Sequence, residues 1–432
     1  MSRPMPGGGV PGGGQRPHAH VVGAGLAGLA AAISLVEAGH GVTVHEAGPQ
    51  AGGRCRSYFD RALGCRLDNG NHLLLSGNRA TFAFLDQVGA RDTMTGPGRP
   101  VFPFMDMVSN ERWTLRPNMG PLPWWMLVPS RRVPGMRLRD ALPALGLHRA
   151  AATATVADVL RPGTLYRRLL EPLAIAALNT APNEGSARLL GAVVQETLAA
   201  GGGACIPAFP REGLSESFID PAVAWLEARG ATVRLSSRVA GLTVEGGRVT
   251  ALGCVALASD DLVVLAVPAP VAASLLPGLV VPDRFEAILN VHFRVDDAPD
   301  GPDLMEGAGF MGLVGGTAEW VFRKPGVLST TISAANRAVD LAPDVLAQQV
   351  WRDLRTALHV PEPMPPFRVV KEKRATFAAT PGQEAKRPAT RTELPNLVLA
   401  GDWTATGLPA TIEGAIRSGR AAAMTLHHQA TP

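Results

Sequence analysis

Short apolar runs separated by glycines set the pattern at the start of this chain. His20–Val22 is apolar, ends in glycines and reads as a buried strand. Leu26–Ala38 is a stretch of small apolar residues of helical length, and Gly39–Gly41 is its stop. Val42–Glu46 is a second strand. The folded chain therefore opens on a strand-helix-strand unit. From Thr81 to Leu198 the pattern changes: prolines crowd residues 97–134, and helical stretches dominate from Val156 onward. Ser215–Arg229 is predicted as a helix with Ser215 as its cap, followed by a strand over Thr232–Leu235. Leu242–Val244 and Arg248–Leu252 flank Gly246-Gly247, which is a hairpin signal. Asn396–Ala400 is a last buried strand, and Thr411–Leu426 a last helix.

Leu262–Val281 carries no charge and is long enough to span a bilayer. Pro268, Pro270 and Pro277 interrupt it, and a lipid-exposed helix cannot spare the hydrogen bonds they remove. A buried strand over Leu262–Val267, a turn and a short helix is expected instead. With 432 residues the chain should form two domains, and its 18% charged residues fit a folded globular protein. A net charge of +4 is too weak to indicate nucleic acid. Cys55, Cys65, Cys205 and Cys254 include no CxxC pair and no histidine at metal-ligand spacing. Neither a metal site nor a disulfide framework is expected, and the cytoplasm is the default compartment. Residues 1–17, rich in Gly and Pro and without the apolar core of a signal peptide, read as a disordered tail.

Gly23-Ala24-Gly25-Leu26-Ala27-Gly28 is a GxGxxG run between a strand and a helix, and Glu46 ends the next strand. Gly23 permits the tight turn, Gly25 lets backbone approach a pyrophosphate, and Gly28 lets the helix pack on the sheet. The helix amino terminus offers free N–H groups to the phosphates. Glu46 can accept from both ribose hydroxyls, and its charge disfavours a 2′-phosphate. A second formal match, Gly307–Gly312, follows a polar stretch and reads as chance or as glycines in a sheet close to something. FAD rather than NAD follows from two further features. Gly52-Gly53-Arg54 stands just after Glu46, where an arginine can neutralise phosphate. Gly401-Asp402 ends a strand and Thr411-Ile412-Glu413-Gly414-Ala415 opens a helix. Asp402 can hold ribityl hydroxyls, and the helix start can face the flavin N1/O2 edge.

These motifs resemble the flavin amine oxidase and phytoene desaturase superfamily. Asp68-Asn69-Gly70-Asn71-His72, Glu372-Lys373-Arg374-Ala375-Thr376-Phe377 and Ala400–Ala415 are similar to the squalene-associated FAD-dependent desaturases, the hydroxysqualene dehydroxylases of bacterial hopanoid synthesis. The resemblance runs from about His18 to Ala423. It implies an α/β protein: a Rossmann-like FAD-binding domain assembled from discontinuous segments, 18–80, 203–270 and 390–432, with an inserted α+β substrate domain over 81–202 and 271–389. It implies Val239 at the adenine. It also implies noncovalent FAD, a hydrophobic C30 isoprenoid substrate, loss of an allylic hydroxyl, and an external electron donor.

Hydroxide is a poor leaving group, so an acid should protonate it. His72, between polar Asn71 and apolar Leu73, is the candidate; a histidine that binds cofactor or backbone is the bland reading. Glu413 is a second catalytic candidate, with a capping carboxylate as the alternative. Carotenoid or polyprenyl desaturation remains open, as does a noncatalytic FAD protein. A flavin amine oxidase fits less well, since Trp403 is the only aromatic ring of Phe, Tyr or Trp type from 402 to 432 and no cysteine follows Cys254. Pro121–Pro129 contains Trp124 and Trp125 and is followed by Arg131, Arg132, Arg137 and Arg139. It reads either as peripheral membrane contact, on the inner face of the cytoplasmic membrane, or as a buried tryptophan pair.

Overall fold

The structure, a computed structural model, describes residues 17–295 and 303–430. Apart from Pro17, the tail expected at the amino terminus lies outside the described residues.

Five strands form a parallel sheet in the order Thr232–Arg234, Val42–His45, Ala19–Val22, Leu262–Leu265, Leu397–Leu399. Val21 stands level with Val44 and Val264, and Val264 with Val398. All four are buried, as β-branched residues should be in a sheet covered on both faces. The helix Leu26–Glu37 follows the first strand, and the final helix, Ile412–Ala430, packs on it. A Cβ on Gly419 would stand 2.1 Å from the Ala27 carbonyl oxygen, so glycine is what lets these two helices approach. Three separated stretches of chain thus build one cofactor half.

A second sheet has seven strands in the order Phe367–Phe377, Phe285–Arg294, Val327–Ile332, Trp320–Lys324, Phe310–Val314, Phe102–Asp106, Arg112–Leu115. It is antiparallel except where Phe310–Val314 meets Phe102–Asp106. The helix Pro343–Leu358 buries Leu346, Val350, Trp351 and Leu354 in a core shared with the strand residues Leu289, Val291 and Phe293. A separate apolar cluster holds Phe104, Phe209, Phe310, Phe322 and Phe377 with residues of the helices Glu171–Leu178 and Ala187–Glu196.

The expected strands and helices near the cofactor fold as read, within a residue or two at most ends. The hairpin turns at Gly246 and Gly247, both with positive φ (56° and 74°), as a two-residue turn of that type requires. Leu262–Val281 resolves into the strand Leu262–Leu265 and the helix Ala269–Leu275. Among the described residues no helix is long and apolar enough to cross a membrane. The second glycine run enters a sheet strand. Cβ atoms on Gly309 and Gly312 would stand 2.8 and 2.4 Å from the rings of Phe209 and Phe104.

Two expectations need correction. Ser215 is not a cap. Its backbone lies in a π-helical turn, Ser215–Ile219, ahead of the helix Asp220–Glu227, and its hydroxyl accepts from Ser57 N at 2.8 Å. The boundary at residue 81 cuts a helix, Arg79–Gln87, whose Phe82, Phe84 and Leu85 bury in the cofactor half with Leu29 and Ile416. A proline count could not reveal that partner.

Candidate active site

The glycine run forms the turn it was read to form. Gly23 has φ +106°, and a Cβ there would meet the Ala266 carbonyl oxygen at 2.5 Å. A Cβ on Gly28 would stand 1.9 Å from the Gly23 oxygen, so the helix packs this tightly only as glycine. Gly25 faces open space, with nothing within 4 Å of its Cβ position, and Gly53 lies across from it with φ +55°. A groove bounded by glycine backbone at the start of a helix fits a pyrophosphate. Ala24 and Leu26–Gly28 complete the run, and the Ala24 carbonyl accepts from Gly52 N at 2.8 Å, which ties the two glycine elements together.

Glu46 accepts from Ala24 N at 2.9 Å through one oxygen and from Gly48 N at 2.8 Å through the other. Each oxygen keeps a lone pair for a ribose hydroxyl. The next segment is tied to the same place: Ser237 N donates to Glu46 O at 2.7 Å and Ser236 N to Gly48 O at 2.8 Å. Val239, half-buried, follows on that segment.

At the other end of the groove Arg54 pairs with Asp402 Oδ1 at 2.6 Å and donates to the Ala375 carbonyl at 2.7 Å. Asp402 raises the guanidinium's pKa further. This contact joins the GGR element, the EKRATF strand and the GD signature, which lie far apart in sequence. Gly401, the preceding glycine, has φ +152°, and a Cβ there would collide with the Trp403 ring at 2.3 Å. Gly401 N donates to Ser418 Oγ at 2.9 Å, and Trp403 Nε1 donates to Val267 O at 2.9 Å. Thr411 Oγ1 accepts from Gly414 N at 3.0 Å and so caps the final helix, which begins at Ile412. Ser418 and Trp403 hold the Gly401–Thr404 loop in place, a role that their position in the chain does not reveal.

Glu413 is fully engaged. It accepts from Ala80 N, Thr81 N, Thr81 Oγ1 and Arg417 Nε at 3.0, 2.8, 2.7 and 2.7 Å, and it is 2% exposed. A carboxylate satisfied by four donors has no lone pair left for a substrate, so the catalytic expectation gives way to the capping one. It caps the helix Arg79–Gln87 rather than its own.

His72 is half-buried, and its Nδ1 lies 3.3 Å from the Gly70 carbonyl. A carbonyl only accepts, so Nδ1 carries the proton and Nε2 is free to accept. Burial lowers the pKa of His72 and Asp68 opposes this, so the ring stands neutral at neutral pH. Its loop is held from below. Asp68 accepts from Ser57 Oγ at 2.6 Å and Leu214 N at 2.8 Å and pairs with Lys324. Asn71 Nδ2 donates to Ser329 and Thr331 hydroxyls at 2.7 and 3.1 Å, and Ser329 in turn meets His292 Nδ1 at 2.8 Å. Burial pushes His292 down to about 4, so it is neutral as well. Among the described residues no group of histidine, cysteine and carboxylate side chains could hold a metal ion.

A parallel sheet built from separated stretches, with a glycine turn at the start of its first helix and a carboxylate just beyond the end of the next strand, fits an FAD-binding oxidoreductase. The chain belongs to the flavin containing amine oxidoreductase family, whose model matches residues 26–427. Among solved structures it is similar to cyclohexylamine oxidase from Brevibacterium oxydans, with TM-score 0.68 and 18% identity over 96% of this chain and 99% of that one. Nearer in sequence are hydroxysqualene dehydroxylases. The protein from Rhodopseudomonas palustris is 49% identical over 94% of this chain and 97% of its own, and that from Zymomonas mobilis 43% over 95% and 99%.

Proposed function

We propose that this chain reduces hydroxysqualene to squalene at the expense of reduced FAD. The observation that carries the reading is near-half identity, over almost the whole length of both chains, to hydroxysqualene dehydroxylases. The allylic C–O bond breaks and a C–H bond forms. The substrate takes up a hydride and a proton and leaves as squalene and water, and the flavin ends oxidised. Bound reduced FAD supplies the hydride. Glycine backbone and Glu46 hold its adenosine and pyrophosphate, with Val239 at the adenine, and Arg54, Asp402, Thr411 and Ile412 hold its ribityl and flavin end. His72 takes a proton on Nε2 and delivers it to the departing hydroxyl, or orients that hydroxyl. Glu413 stays structural. The large apolar cluster excludes water from the emerging allylic cation.

The test is anaerobic. Photoreduced holoprotein mixed with hydroxysqualene should regain oxidised flavin absorbance and yield one squalene per flavin. Flavin that stays reduced overturns the reading. Bleaching of oxidised flavin by a polyprenyl hydrocarbon would instead mark a desaturase.

So insoluble an alcohol is best taken directly from lipid, and the reading puts the protein peripherally on the inner face of the cytoplasmic membrane. The support is an apolar surface. Met119, Leu122, Trp124 and Leu127 are 58, 78, 49 and 66% exposed, and Leu142 and Leu145 both 64%. Arg137 and Arg139 are exposed beside them, and Arg131 lies over the Trp124 ring at 4.8 Å. Trp125 is 6% exposed and belongs to the core, so the two tryptophans divide between the two readings. Trp124→Ala should therefore pellet less with vesicles of anionic lipid than the wild type, with its FAD intact. Equal pelleting would remove this face from the membrane.

A further inference from the structure

Arg387 is 7% exposed and sits beneath the loop that follows the last sheet strand. Its Nη2 donates to the carbonyls of Asp402, at 3.0 Å, and Thr404, and to Thr406 Oγ1 at 2.8 Å. Its guanidinium carbon lies 4.9 Å from the Phe377 ring centre, and its Nε is buried without a partner. Two carboxylates lie near enough to act on its charge, Glu384 and Asp402. Neither pairs with it: Glu384 accepts from Ser186 Oγ at 2.9 Å, and Asp402 is taken by Arg54 at 2.6 Å. Of the two arginines, only Arg54 makes an ion pair; the buried Arg387 guanidinium donates to neutral acceptors alone, with the Glu384 and Asp402 charges acting on it from a distance. A guanidinium does not give up its proton to escape, and an uncompensated buried charge is costly. Neutral donors could have bridged the same loop carbonyls, so a guanidinium that makes no ion pair among the described residues has its charge available to a further negative partner.

We infer that Arg387 is a positioning residue that clamps the Gly401–Thr406 loop and keeps a positive field at the ribityl and pyrimidine end of the flavin, where it favours the anionic reduced cofactor. The inference rests on the FAD-binding reading above. The final helix, capped at Thr411, adds a field of the same sign. A chain that must store electrons from an external donor until the alcohol arrives gains from such a bias. The FAD diphosphate is a rival partner, but it carries the same charge in both redox states. A charge that served it would strengthen binding of oxidised and reduced FAD alike.

The test compares holoprotein of the wild type, Arg387→Met and Arg387→Lys by dye-coupled photoreduction, with FAD content and apoprotein melting measured alongside. Arg387→Met should lose at least tenfold of its preference for reduced over oxidised FAD, which for a two-electron couple lowers the midpoint by about 30 mV or more. Arg387→Lys should retain most of that preference. An unchanged midpoint in Arg387→Met, or equal weakening of both redox states, overturns the inference. Should Arg387→Met fail to fold, the wild type decides through the pH dependence of its midpoint. An anionic reduced flavin takes one proton per two electrons and gives about 30 mV per pH unit at neutrality. A slope of about 60 mV overturns the inference. Absence of squalene formation would sink the proposed reaction and leave these potentials standing.

Discussion

His72→Ala should slow reoxidation of the reduced flavin by hydroxysqualene by about 10²–10⁴-fold, the usual worth of a general acid, while FAD content stays intact. The pH dependence gives a sharper version. Burial lowers the His72 pKa, Asp68 opposes it, and Lys324 and Arg54 add to the lowering. The acid form is the protonated one, so it is scarce at neutral pH and becomes scarcer as pH rises. The wild-type rate should fall about tenfold for each pH unit above that lowered pKa. The variant, without the titrating group, should show no such slope. Loss of FAD from His72→Ala would make the histidine a cofactor contact, and a flat wild-type profile would remove it from proton transfer.

Glu413→Ala should cost about 3–5 kcal/mol of stability, read by urea melting of the FAD-loaded protein. The side chain is the meeting point of two buried backbone amides, the Thr81 hydroxyl and the Arg417 guanidinium. Truncation strands the two backbone amides and the Thr81 hydroxyl and leaves Arg417 to Glu196 alone, and stranded groups cost more than the bonds were worth. It also loosens the helix Arg79–Gln87 from the final helix. A variant that keeps full stability and loses only turnover would return Glu413 to the chemistry.

The cofactor half was legible because its constraints are local. Gly23 answers to the positive φ of its own turn and Gly28 to the Gly23 carbonyl a few residues back, although both also abut Ala266, and the flanking strands are short, mostly apolar runs. The hairpin at Gly246-Gly247 was legible for the same reason. What escaped were partners distant in sequence. Nothing near Glu413 says that its donors come from Ala80 and Thr81, and nothing near Arg54 points to Asp402. Ser215 looks like a cap by its position ahead of an apolar run, yet its hydroxyl is claimed by Ser57, on a hairpin over 150 residues earlier (|i−j| = 158). Trp124 and Trp125 are adjacent and chemically alike, and only the three-dimensional turn decides which one faces out. Arg387 gave no signal at all: it is one arginine among many until its burial against neutral acceptors is visible.

The arrangement of the parallel sheet also governs how the protein comes into being. The strands Ala19–Val22 and Val42–His45 are synthesised well before Leu397–Leu399 and the helix that packs on Leu26–Glu37. A ribosome delivers residues in order, so the nascent chain carries its Gly23–Gly28 turn without Gly401–Asp402 until all the chain between them has been made. Contacts between segments so far apart in sequence close slowly. During that interval the apolar first helix, buried along nearly its whole length in the finished fold, has yet to meet its eventual partner and exposes apolar surface.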